Sequence, residues 1–116
     1  MLFRSAFAIS SVYQHQGVYH MLYRGMNTAT RTEGPSDSYL CLAVSKDGIT
    51  WEKPTLGLAD YKGSKANNIA AFADGRALPF CFTFYDPRPD TPANERVKAI
   101  DMRDGDRRAE IGRAHV

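Results

Sequence analysis

Apolar residues along this chain recur in short runs with a period of two, and almost nowhere with the spacing of an amphipathic helix. In Val18 to Arg24, Tyr19, Met21 and Tyr23 share one face of a strand while His20 and Arg24 share the other. Gln16-Gly17 separates this run from an earlier one that ends near Tyr13, which predicts a hairpin. Tyr39 to Val44 is continuously apolar, as in a strand covered on both faces. It leads into Ser45-Lys46-Asp47-Gly48-Ile49-Thr50-Trp51, where Asp-Gly predicts a short hairpin whose turn fixes the register. There the Asp47 carboxylate accepts backbone N–H bonds, Gly48 supplies a positive φ, and Ile49 and Trp51 alternate onto one face.

Ile69 to Phe72, Phe80 to Phe84 and Val97 to Met102 are further strand candidates, with turns at Asp74-Gly75 and Arg103-Asp104-Gly105-Asp106. Met26 to Ser38 carries no apolar pattern and reads as a long surface loop, and Leu56 to Asn68 reads as an extended connection. Pro87, Pro89 and Pro92 exclude regular pairing after Asp86. Roughly six to eight short strands joined by turns make an all-β chain of antiparallel strands, suited to a sandwich, a barrel or propeller blades.

Composition narrows the functional classes. The 116 residues are 43% hydrophobic and 24% charged, which is a globular balance. No run approaches the roughly 18 apolar residues of a membrane span. The best early candidate, Leu2 to Ile9, is broken by Arg4 and Ser5, so neither a membrane partner nor a signal peptide is expected. A net charge of +2 is too small and dispersed to bind phosphates, so no nucleic-acid partner is expected. Cys41 and Cys81 sit in apolar runs and read as buried thiols, with a disulfide between them left open. His15 and His20 lack a third ligand at a metal spacing, so no metal is expected and both read as surface or strand-edge residues.

Three longer strings carry more information: GVYHMLYRG at Gly17 to Gly25, SKDGITWEKPTLGLADYKGSKANNI at Ser45 to Ile69, and FYDPRPDTPANERVKA at Phe84 to Ala99. Together they resemble the signature of five-bladed β-propeller proteins related to glycosyl hydrolase families 32 and 43, with Val97 where that pattern has an aromatic residue. The resemblance implies a radial array of four-stranded sheets with a polar axial pocket. It also implies cleavage of glycosidic bonds by paired carboxylates, with carbohydrate as the partner and no cofactor.

The implied chemistry needs one carboxylate kept protonated for the leaving oxygen and another kept ionised across an oxocarbenium-like transition state. In related enzymes an Asp in an Arg-Asp-Pro motif stabilises that state. Asp86-Pro87 falls in similar context with Tyr85 in place of Arg, which makes Asp86 the catalytic candidate; a strand-ending Asp-Pro turn is the other reading. Arg24, Lys65, Asn67 and Asn68 are the candidate sugar-binding donors, against a solvent-facing arginine and an Asn-rich turn. Asp47, Gly48 and Trp51 read as a structural turn with its packing aromatic.

A propeller blade takes about 40 to 50 residues. Residues 1–109 are therefore expected to be about two blades of a larger ring, a partial β-propeller whose exposed sheet edges favour self-association. Glu110 to Val116 matches the translation of GAGATCGGAAGAGCACACGTC, a string that resembles read-through into a sequencing adapter; 110–116 is expected to be a non-native tail. On this reading the parent protein hydrolyses glycosides and this piece alone is inactive. A non-catalytic glycan- or protein-binding propeller module and a small scaffold domain are the alternatives.

Overall fold

The computed structural model describes residues 5–26, 38–72, 75–101 and 110–115. The chain is all-β, with strands β1 (Ser5–His15), β2 (Val18–Met26), β3 (Ser38–Ser45), β4 (Ala71–Phe72), β5 (Phe82–Tyr85), β6 (Val97–Asp101) and β7 (Glu110–His115). They form two antiparallel sheets, ordered β1-β2-β3 and β4-β7-β6-β5.

The β1–β2 hairpin closes at Gln16-Gly17, with φ of 52° and 80°. Two successive left-handed residues give the turn whose twist matches that of the paired strands, and Gly17 takes the second position without a Cβ penalty. The far edge of β3 is capped piecewise. Val44 and Glu52 exchange two 2.8 Å backbone bonds, Leu42 N donates to Asn68 O, and Leu40 N donates to Leu78 O. A connection rich in Gly and Pro thus satisfies a buried edge without a continuous strand.

Alternation in β2 and β3 divides the apolar side chains between two clusters. Leu22, Leu40 and Leu42 face inward against Cys81, Val97 and Ala99 of the second sheet. Tyr23, Cys41 and Ala43 face the other way and are covered by Ala59 and Tyr61, with Trp51 and Leu58 packed against them. This explains the uninterrupted apolar run of β3, which is covered on both faces. Cys41 and Cys81 belong to opposite clusters and are both free thiols. Burial pushes the Cys41 thiol up to about 12, making it unreactive at neutral pH.

Several sequence boundaries move. The strand expected at Phe80 to Phe84 runs from Phe82 to Tyr85, because Phe80 N already bonds to Ser38 O across the β3 edge. Asp47-Gly48 does not close a two-residue hairpin; residues 46–50 bend outward and Ile49 is 83% exposed, off the face that Trp51 occupies. The loop positions 27–37 and the turn at Arg103 to Asp106 lie outside the described residues. Glu110–His115, expected to be a tail, pairs between β4 and β6. A ladder needs only backbone groups, so this pairing is independent of where those codons originate.

Candidate functional site at the seam between the sheets

The edge strands β1 and β5 of the two sheets adjoin, and polar and aromatic side chains join them. A register shift in β1 between Ile9 and Ser11 lets both Ser10 and Ser11 reach Thr83, each at 2.7 Å, where regular alternation would send them to opposite faces. Ser10 Oγ also donates to Cys81 O at 2.9 Å. A single proton arrangement satisfies the set: Ser11 donates to Thr83, Thr83 donates to Ser10, and Ser10 donates to the carbonyl.

Further along the seam, Tyr13 lies between His20 and Tyr85. Its ring stacks on His20 at 4.9 Å and on Tyr85 at 4.4 Å, with interplanar angles of 4° and 3°. His15 Nδ1 and Tyr85 Oη share a 2.8 Å hydrogen bond. Burial, with a smaller contribution from Tyr85, raises the Tyr13 phenol well above its ordinary value, so it stays protonated. Burial also lowers the His20 pKa, opposed by its bond to Val18 O and assisted by His15. The stack is therefore a neutral aromatic column.

Asp86 follows Tyr85 directly and is 6% exposed. Its Oδ2 accepts from Arg88 Nη2 at 2.6 Å and from Lys98 Nζ at 2.8 Å, and its Oδ1 accepts from Arg88 Nε and Arg88 N. These bonds, those from Arg88 foremost, hold the carboxyl far below the usual carboxylate range. Arg96 Nη1 donates to Asp86 O and Arg88 O, so the proline-rich segment is anchored to the base of β6. A group held this firmly ionised can stabilise positive charge but cannot serve as a general acid.

The other sequence candidates lie elsewhere and are occupied differently. Asn67 and Asn68, expected to meet sugar hydroxyls, are 1% and 0% exposed and act as internal clips. Asn67 Nδ2 donates to Ala59 O and Ser64 O while its Oδ1 accepts from Ile69 N. Asn68 Nδ2 donates to Tyr23 Oη at 2.8 Å and Leu42 O at 3.0 Å. Burial against the sheet removes both amides from a ligand's reach, which corrects that expectation. Lys65 is exposed on the adjoining turn, away from the seam contacts. Arg24 is half-buried with its guanidinium 5.1 Å above the Phe80 ring, a packing position rather than a pocket-facing one.

Asp47 is a turn residue: its Oδ1 accepts from Ile49 N, Thr50 N and Ser45 Oγ, and the two backbone bonds chiefly lower its pKa. Gly48, at φ 79°, completes the turn, and half-buried Trp51 packs against the cluster of Tyr23, Cys41 and Ala43. A surface cleft of about 260 Å³ lies beside this turn, between Val18, Val44 and Glu52. It includes neither Asp86 nor the seam stack.

Among the described residues no three His, Cys, Asp or Glu side chains are grouped to hold a metal, and no helix is long and apolar enough to cross a membrane. Comparison with protein-family models, curated proteins and solved structures finds no match.

Proposed function

We propose that this chain contributes two sheets to a carbohydrate-active β-propeller of the glycosyl hydrolase 32 and 43 kind, and that the seam end near Asp86 faces the sugar. The observation that carries this reading is the position of Asp86: a buried, ionised carboxylate at the end of an edge strand, next to a column of aromatic and imidazole rings. An ionised carboxylate supplies the charge that an oxocarbenium-like transition state needs, and aromatic rings supply apolar faces for a sugar. The protonated partner acid comes from sheets beyond these two. Asp86 is then a sugar-positioning, charge-stabilising residue.

A non-catalytic glycan- or protein-binding propeller module is the second reading. It is favoured by the engagement of both Asp86 oxygens by Arg88 and Lys98, which leaves the carboxylate serving the loop. Turnover of aryl glycosides by the complete reading frame separates the two. Asp86→Asn is expected to lower kcat by about 100-fold or more with the fold retained. Unchanged turnover removes Asp86 from the chemistry.

A further inference from the structure

Among the described residues, two buried side-chain polar atoms lack a hydrogen-bond partner, Arg24 Nε and Ser38 Oγ. Leaving such an atom unsatisfied costs about 1–3 kcal/mol, and more where the group is charged. The two residues are neighbours in the sheet. Arg24 pairs with Leu40 and Met26 with Ser38, so Arg24 and Ser38 stand diagonally across the β2–β3 ladder, on the face that also carries Leu22 and Leu40. Phe80 adjoins both: its backbone N donates to Ser38 O at 3.2 Å, and its ring lies 5.1 Å from the Arg24 guanidinium.

Packing on Phe80 uses the face of the guanidinium and leaves the Nε–H on its edge unspent. Both ion pairs among the described residues belong to Asp86, so no described carboxylate neutralises Arg24. Ser38 is 5% exposed, while Arg24 and Phe80 are half-buried, so the floor is closed at Ser38 and solvent reaches the site from the other two. The missing group follows from the donors. Arginine can only donate, so its Nε–H lacks an acceptor, and the Ser38 hydroxyl can donate to the same one. A planar carboxylate matches the edge of a guanidinium, taking two parallel N–H bonds. One unpaired positive charge balances a monoanion, whereas a phosphate dianion brings a second charge that no described cation here offsets.

We infer that Arg24 and Ser38 form a binding site for a small organic carboxylate, one oxygen of which accepts from both Arg24 Nε and the Ser38 hydroxyl while the other accepts from an Arg24 Nη. Phe80 holds the guanidinium in place for it. The cleft beside Asp47 does not include these residues. The inference rests on unspent polar groups and is independent of the carbohydrate reading, because a neutral sugar does not supply the negative charge that Arg24 lacks.

NMR of the arginine Nε–H groups tests it, with sodium acetate titrated into the chain at an ionic strength held constant by sodium chloride. The Arg24 Nε–H resonance is expected to move downfield saturably, together with the Ser38 and Phe80 amides, and inorganic phosphate is expected to bind more weakly than acetate. Arg24→Lys keeps the charge but loses the fork, and is expected to abolish the saturable shifts at both amides. Ser38→Ala removes an unsatisfied group, so the fold is retained, and is expected to weaken acetate binding about tenfold. It keeps the test decisive if the Arg24 variant fails to fold. An Nε–H resonance that does not respond, one already at its bonded position before acetate is added, tighter binding of phosphate than of acetate, or a Ser38→Ala chain that binds acetate as before overturns the inference.

Discussion

Tyr13 and Tyr85 stack nearly parallel, with ring centroids 4.4 Å apart and planes within 3°, although they come from different sheets. With the Ser10–Thr83 bond and the His15–Tyr85 bond, this pair fixes β1 against β5. Tyr85→Ala removes the stack and the hydrogen bond together and is expected to destabilise the fold by about 2–4 kcal/mol. Tyr85→Phe keeps the stack and should lose only about 1 kcal/mol. Urea unfolding of both variants gives the comparison, and equal losses would show that the ring contributes little.

Asn68 couples the connecting segment to the sheet through Tyr23 Oη and Leu42 O. Replacing it with Leu removes that donor from both buried oxygens, at a cost of about 1–3 kcal/mol. The Tyr23 phenol, already pushed up to about 12 by burial, should become still harder to ionise, because its bond to Asn68 lowers its pKa. Spectrophotometric titration of the phenols, together with urea unfolding, checks both effects.

Acid should weaken the fold in two stages. His20 has a folded pKa below its ordinary 6.5, so the unfolded chain takes up the proton first and stability falls as pH drops through and below 6.5. Asp86 is likewise lowered from 3.8, so its contribution is present above that value and is lost as pH falls beneath it. His20→Gln should flatten the upper stage and Asp86→Asn the lower one in thermal unfolding at stepped pH. If each curve keeps the wild-type shape, these groups do not govern acid stability.

Gly48 has φ of 79°, and a Cβ there would meet the Tyr19 ring at 3.7 Å, which is ordinary contact. The penalty for Gly48→Ala is therefore conformational, about 1–2 kcal/mol. Urea unfolding should show a lower midpoint with an unchanged slope.

The features legible in sequence were those with local causes. Asp47 and Gly48 form a turn whose bonds all run to residues within three positions of Asp47, so its chemistry could be read from the string itself, although the outward path of Ile49 could not. The double coverage of β3 was legible because it leaves no polar position in the run Leu40 to Val44. Asn67 and Asn68 misled because a polar pair in a Gly- and Ser-rich stretch looks solvated, whereas their burial depends on distant Ala59, Tyr23 and Leu42. The seam was hidden for the same reason. Its traces, adjacent serines in β1 and a lone threonine within FCFTFY, acquire meaning only once β1 and β5 meet.

The claim that the seam end near Asp86 faces carbohydrate is tested most directly by backbone amide NMR of this chain, titrated with a panel of neutral oligosaccharides. Saturable shifts at Tyr85, Asp86, Arg88 and Lys98, weakened by Asp86→Asn, are the expected result. Shifts confined to the cleft beside Asp47, or none with any sugar, would contradict it.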